Sequence, residues 1–400
     1  MRPFASSRTG EKRMILPGKA FRIGKGNYME IINGAYAQAK VFTDDMETYA
    51  RAQLEMICNN EVAKGSKIRV MPDVHPGKVG TIGLTMTVGN RVIPQLLGID
   101  IGCGMTCVKI KEKRVELQKL DKVIRERIPA GFAARGSVHH KAEEFEPEKL
   151  HCFSYINSSK AYLSLGTLGG GNHFFELDKD EEGCLYLIVH SGSRHLGKEV
   201  TEYYVNVGVK GLKQKGAEVP YELTWLEGEL MERYLADVRV VQDFAQLNRE
   251  IILWEILKEM KLKVAESFSS VHNYVDELQG ERILRKGAIS AKEGERVIIP
   301  INMRDGVLLG TGKGNADWNY SAPHGSGRSM RRDEVKNRYT VSSFKSEMKG
   351  IYCSCIGADT LDEAPFAYRS VDQIRKHIED TVEITHALKP VYNFKAGGKA

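Results

Sequence analysis

The segment TIGLTMTVGNRVIPQLLGIDIG, residues 81–102, is dense in Val, Ile and Thr and is punctuated by Gly and Pro. That is the composition of short strands and loops. The segment before it, SKIRVMPDVHPG (66–77), has the same character. Helical patterns flank this region. TDDMETYARAQLEMICNNEVAKG (43–65) predicts a helix that Thr43 caps, acids open and Gly65 ends. EKRVELQKLDKVIRERI (112–128) predicts an amphipathic helix, followed by a polar stretch through His139 and His140. LTWLEGELMERYLADVRVVQDFAQLNREIILWEILKEM (223–260) places Leu235, Val238, Val241, Ala245, Ile252 and Ile256 at helical spacing. Strands and glycine loops return from Ile283 to Tyr320, and VDQIRKHIEDTVEITHALKP (371–390) predicts a last helix. Strands and helices come in mixed order, without the regular alternation of a doubly wound parallel sheet, so the expected class is α+β.

Composition bounds the function. The chain has 400 residues, of which 42% are hydrophobic and 28% charged, as in a soluble globular protein with ample core. No apolar run approaches about 18 residues, so no membrane span is expected. Residues 1–28 are basic, lack the apolar run of a secretory signal and read as an N-terminal extension. No repeat or linker divides the rest, which predicts one continuous domain over residues 29–400. Seven cysteines, an odd number, suit a reducing cytoplasm better than a disulfide framework. The formal charge of +6 permits a polyanionic partner without requiring one.

Standard templates fail. No Gly-Lys pair precedes Ser or Thr, so there is no Walker A loop, and GTGKGN (310–315) alone is more often a plain turn than a phosphate cradle. The zincin H-E-x-x-H pattern and C-x-x-C pairs are absent. HSGS (190–193) without a G-x-S-x-G elbow is a weak hydrolase signal. What remains is a set of histidines in glycine-rich contexts. GTLGGGNHFFELD (166–178) holds Asn172, His173 and Glu176, and fits a ligand-approached backbone or a hairpin with a surface histidine. LYLIVHSGSRHLG (185–197) ends a hydrophobic strand at His190, either half-buried or at a site. His272 in SSVHNYV, taken alone, reads as an ordinary satisfied histidine. SAPHGSGRSMRR (321–332) sets His324 beside Arg328, Arg331 and Arg332, which suit an anion.

GIDIGCGM (98–105) adds Asp100 and Cys103. With His173, His190 and His272 they make one carboxylate, one thiolate and three imidazoles, more than a single tetrahedral site takes. A thiolate bridging two ions would reconcile the number with a binuclear centre. The five residues span about 170 positions, so only the fold could bring them together.

Eight segments in order, MPDVHPGKVGTIG, GIDIGCGM, GTLGGGNHFFE, VHSGSRHLG, HNYV, RKGAIS, PHGSGR and the terminal YNFKA, resemble the RtcB family of RNA ligases from about Met29 to the C-terminus. The resemblance implies one large domain with mixed sheets and packed helices around a central active-site cleft. It implies a GTP- and Mn²⁺-dependent enzyme of RNA repair or tRNA splicing, which joins RNA 3′-phosphate or 2′,3′-cyclic phosphate ends to 5′-hydroxyl ends. By match to the family motifs, Asp100, Cys103, His173, His190 and His272 are the expected ligands of two Mn²⁺ ions, with Cys103 bridging. His324 is the expected nucleophile that takes GMP from GTP. The expected nucleotide contacts are Asn172, His173, Glu176 (on the base edge), His272, Asn273, Pro300, Asp305, His324, Gly325, Gly327, Arg328, Tyr368 and Lys395. Asp73, Lys78 and Lys286 fall in family motifs near the active site. The resemblance also implies a monomer and allows an archease-type activating partner.

Departures are local. Ser326 stands where many relatives carry alanine, and residues 300–328 resemble one bacterial branch more than the tRNA-splicing branch. Two other readings stay open on the residues alone. A binuclear metallophosphoesterase would use the same ligands but leaves His324 and Lys395 without a role. An RNA-binding protein with a vestigial site would require a broken ligand set.

Overall fold

A computed structural model describes residues 21–23 and 27–397. The expected N-terminal extension, residues 1–28, lies for its greater part outside these described residues. Two seven-stranded sheets form the frame. The first runs, in spatial order, Phe21–Ile23, Asn27–Asn33, Gln38–Val41, Lys67–Pro76, Thr81–Val88, Glu281–Lys286 and Asn273–Leu278. The second runs Val264–Val271, Gly104–Ile110, Leu185–Ser191, Phe174–Lys179, Val382–Phe394, Gly306–Gly312 and Arg296–Asn302. Between the strands of these two sheets, pairing is antiparallel apart from Gln38–Val41 against Lys67–Pro76 among the described residues. The chain crosses from the second sheet to the first between Val271 and Asn273, and His272 is the single residue at that crossing.

The helix Gly228–Met260 spans both halves. Its 33 residues give a rod roughly 50 Å long. Tyr234, Val238, Val241 and Ile251 enter the core shared with the helices Thr48–Cys58 and Arg194–Gln214 and the first sheet. Ile252, Leu253 and Ile256 enter the core between the second sheet and the helix Leu117–Arg127. Helices and mixed sheets thus pack as one large α+β domain, as the mixed order of patterns predicts.

Two expectations need correction. The first helix covers only Thr48–Cys58. Thr43 does not cap it, because its hydroxyl accepts the Asp45 N–H in a local turn. The Cys58 carbonyl accepts the Tyr36 and Ala37 amides, which ties the helix end to the preceding hairpin. Near the C-terminus, helix occupies only Val371–Ile378, closed at its start by a Ser370–Gln373 capping box. Residues 382–394 form a strand held on one side by Gly306–Gly312 and on the other by Phe174–Lys179. Thr381, Val382, Ile384 and Thr385 are β-branched, and pairing on both sides decides the outcome over helical spacing.

Candidate active site

The loop between the one-turn helix Pro94–Leu97 and the strand Gly104–Ile110 delivers Asp100 and Cys103. Gly102 takes φ +73, and a Cβ there would lie 2.8 Å from Gln242 Cα of the long helix, so the loop packs where no side chain fits. His173 precedes the strand Phe174–Lys179, His190 ends Leu185–Ser191, and His272 stands at the sheet crossing. Cys103 Sγ lies 3.3 Å from His173 Nε2 and 3.3 Å from His190 Nε2. His173 Nε2 is 3.1 Å from Asp100 Oδ2, and the Nε2 atoms of His190 and His272 are 3.3 Å apart. Two candidate metal triads result, Asp100–Cys103–His173 and Cys103–His190–His272, and they share Cys103.

The donor set fits a pair of cations. His173 Nδ1 faces the Leu168 carbonyl at 3.0 Å, and His190 Nδ1 faces the Asn172 carbonyl at 3.1 Å. A carbonyl only accepts, so these contacts put the proton on Nδ1 and leave a lone pair on each Nε2 pointing at the thiol. The Arg194 guanidinium also reaches His173 Nδ1, at the longer distance of 3.3 Å. Burial, then the charge of neighbouring histidines, pushes His190 and His272 well below the usual imidazole range, which keeps them neutral. Burial and then Asp100 push the Cys103 thiol up. Convergent lone pairs around a sulfur call for positive charge, and a bound cation would displace the thiol proton. Asp100 is aimed by the Ser193 amide, which donates to Oδ1 at 3.0 Å. Gly192 lets that carboxylate approach, since a Cβ there would sit 2.1 Å from Oδ1.

His324 stands next to this cluster, its ring centroid 4.9 Å from that of His272. Asp73, fully buried on the strand Lys67–Pro76, holds it twice. Oδ2 is 2.6 Å from His324 Nδ1 and accepts the His324 backbone N–H at 3.1 Å. Nε2 is thereby the nitrogen left for chemistry. The cleft beside it, of about 710 Å³, is lined by residues of both sheets and the segments between them. Asn172, Glu176, Pro300, Gly325, Gly327, Arg328, Tyr368 and Lys395, all expected nucleotide contacts, line it together with His190 and His324.

One end of the cleft is cationic. Lys395 Nζ donates to Glu363 Oε2 at 2.9 Å, and Tyr368 and Arg332 also bond Glu363. Burial opposes the Lys395 charge, but Glu363 outweighs it and holds the ammonium above its usual range. Arg328 is fixed by the Asp362 carbonyl at 2.7 Å. Glu176 also lines the cleft; its Oε1 accepts from Asn393 while Oε2 has no partner among the described residues. Burial pushes Glu176 up to about 8.

Several expected residues sit elsewhere. Asn273 does not line the cleft. Its Nδ2 donates to the Asp100 carbonyl at 3.1 Å and its Oδ1 accepts the Gly287 amide at 2.9 Å, which braces the metal loop. Asp305 accepts from Asn302, a lining residue, at 2.9 Å. Lys286 is buried with its Nζ on the Val79 carbonyl at 2.9 Å, and burial lowers it to about 8. Lys78 is exposed in the bend after Pro76. The GTGKGN loop bonds Thr381 through the Lys313 amide and does not line the cleft.

Sequence reasoning missed four supports. Asn248 and Arg249 face the site from the long helix: Asn248 donates to the Thr167 and Gly192 carbonyls, and Arg249 to those of Gly102 and Ser191. Glu363 anchors Lys395, and His75 lines the cleft with Nδ1 2.9 Å from the Asp73 carbonyl. The adjacent polar pair inside an apolar helical pattern is the signal that could have found Asn248 and Arg249.

Comparison with known proteins adds an independent line. The family model described as tRNA-splicing ligase RtcB matches residues 53–154 and 143–396. The chain is 30% identical over 407 residues to an RNA-splicing ligase RtcB of Escherichia coli strain K12, covering 91% of this chain and 98% of that protein. It is 31% identical, with the same coverage, to an RNA-splicing ligase RtcB1 of E. coli strain ATCC 25922. A tRNA-splicing ligase RtcB of Aeropyrum pernix is 28% identical, over 80% of this chain and 84% of its own length.

Proposed function

The chain belongs to the RtcB family, and from that premise we propose that it is an RNA ligase that uses GTP and two Mn²⁺ ions to join 3′-phosphate or 2′,3′-cyclic phosphate ends to 5′-hydroxyl ends. The observation that carries this reading is the shared sulfur of two ligand triads set one ring contact from a histidine that a buried aspartate orients. Asp100, Cys103 and His173 would hold one Mn²⁺, and Cys103, His190 and His272 the other. Such a pair supplies neutralisation of phosphoryl oxygens.

The protein's own groups account for the rest. His324 Nε2 attacks the α-phosphorus of GTP; a P–N bond forms and pyrophosphate leaves. Asp73 accepts the Nδ1 proton in a hydrogen bond and stabilises the positive charge that develops on the ring. Glu176 suits the donor edge of guanine, and Arg328 and Lys395 suit anionic oxygens. A cyclic end is first opened by water. An oxygen of the 3′-phosphate then attacks the GMP phosphorus, and the P–N bond breaks to regenerate His324. The 5′-hydroxyl oxygen attacks the activated RNA phosphate, loses its proton and expels GMP.

The mildly basic surface suits RNA backbone. No helix among the described residues is long and apolar enough to cross a membrane. All seven cysteines are unpaired, which suits a reducing cytoplasm and the free thiol that Cys103 requires. A monomer, and an archease-type activator, remain part of the proposal. The test is the product formed from a 3′-phosphate RNA and a 5′-hydroxyl RNA with GTP and Mn²⁺. Joined RNA is expected, and 3′-dephosphorylated but unjoined RNA would favour a hydrolase instead.

A further inference from the structure

Cys353 and Cys355 lie outside the ligand set, yet their sulfurs are 3.3 Å apart and both side chains are partly exposed. Cα atoms two residues apart are separated by at most about 7 Å, which spans the range seen in disulfides. The pair is asymmetric. The hydrogen bond with Cys353, then the Lys395 amide and the charges of Lys395 and Arg125, hold Cys355 below the usual thiol range. The same hydrogen bond and burial push Cys353 up. Two thiols in contact, one of them favoured to ionise by an amide donor and nearby cations, are the arrangement of an oxidisable cysteine with its own resolving group.

The pair is also wired to the cleft. Cys355 Sγ accepts the Lys395 backbone N–H at 3.2 Å. The Tyr352 amide donates to the Val391 carbonyl at 3.1 Å, and the Asn393 amide donates to the Tyr352 carbonyl at 3.0 Å. Asn393 bonds Glu176, and Lys395 lines the cleft.

We infer that Cys353 and Cys355 form a reversible oxidation site, and that its disulfide form weakens nucleotide binding in the adjoining cleft. The second half rests on the nucleotide reading proposed above. The oxidant is a hydroperoxide. Cys355 Sγ attacks one peroxide oxygen; an S–O bond forms, the O–O bond breaks, and the other oxygen leaves as alcohol or water after protonation. Cys353 Sγ, losing its proton, then attacks the Cys355 sulfur and expels hydroxide, which leaves as water. Each sulfur gives one electron, and the peroxide takes two. Cys355 Sγ, now bonded to Cys353 Sγ, is then a poorer acceptor for the Lys395 amide.

The full chain is treated with hydrogen peroxide, alkylated and digested with trypsin; Lys349 and Arg369 bound one peptide, residues 350–369, that carries both cysteines. That peptide should be unalkylated and lighter by two hydrogens, and dithiothreitol should restore it. GTP should bind the oxidised protein about tenfold more weakly, the size of one lost hydrogen bond. Cys353→Ser and Cys353→Ala lack the resolving thiol, so peroxide should stop at a Cys355 sulfenic acid with no disulfide, and untreated GTP affinity should match that of wild type. Thiols that still alkylate, or that become only sulfinic or sulfonic acids, overturn the site. A disulfide without change in GTP affinity, or a loss of affinity that dithiothreitol does not reverse, overturns the coupling. Untreated protein that binds no GTP contradicts the nucleotide reading instead, while the peptide mass still decides the oxidation site.

Discussion

Asp73 Oδ2 sits 2.6 Å from His324 Nδ1 and also accepts the His324 backbone N–H. Ring and backbone are therefore fixed by one carboxylate oxygen, and that carboxylate is fully buried. Asp73→Asn keeps the shape but can offer an N–H in place of the acceptor, which favours the wrong imidazole tautomer. GMP transfer to His324 should slow by about 10²-fold or more, with GTP affinity within about twofold of wild type. Single-turnover labelling and equilibrium binding, measured side by side, check the split.

Cys103 belongs to both ligand triads, whereas Asp100 belongs to one. Cys103→Ser should therefore remove both Mn²⁺ ions, and Asp100→Ala only one. Metal content after gel filtration distinguishes these outcomes. Equal loss in the two variants would contradict the shared-sulfur arrangement.

Arg249 is fully buried and donates to the Gly102 and Ser191 carbonyls beneath the metal loop. Arg249→Met leaves both carbonyls unpaired, and the fold should lose roughly 2–5 kcal/mol. Denaturant titration reads this, and Mn²⁺ affinity should fall with it, because both carbonyls flank ligand-bearing loops.

Glu176 has a folded pKa of about 8 against an ordinary 4.5, raised by burial. The folded state therefore holds a proton that the unfolded chain releases between those values. Stability from this group is fully present below the ordinary value and falls as pH rises toward about 8. Glu176→Gln removes the dependence. The melting temperature of the nucleotide-free wild type should fall relative to this variant between pH 5 and pH 8 and run parallel to it above. Parallel curves throughout would show that Glu176 ionises normally. The variant should also discriminate less well between GTP and ATP.

Much of this site is legible in the sequence, for physical reasons. Glycines beside Asp100, Cys103 and His173 mark backbone that must pass close to other groups, and a thiol, a carboxylate and imidazoles in such loops are metal donors. Their convergence is not legible, because it depends on strand pairing such as Met105 opposite His190 and on His272 standing where the chain changes sheets. Asn273 and Lys286 show the converse. Both occupy motif segments, yet their polar atoms bind backbone of the loops and strands around the site rather than lining the cleft. The long helix follows its apolar spacing over nearly the whole expected range. The strand Val382–Phe394 does not, since its partners lie far away in the chain and helical spacing continues into it by chance.

The most direct test of the central claim is to incubate the Mn²⁺-loaded protein with GTP labelled at the α-phosphate and locate the label by peptide mapping. One acid-labile GMP on His324, absent from His324→Ala, is the predicted result. No adduct on protein shown to hold two Mn²⁺ ions and to bind GTP, or an adduct on another residue, would contradict it.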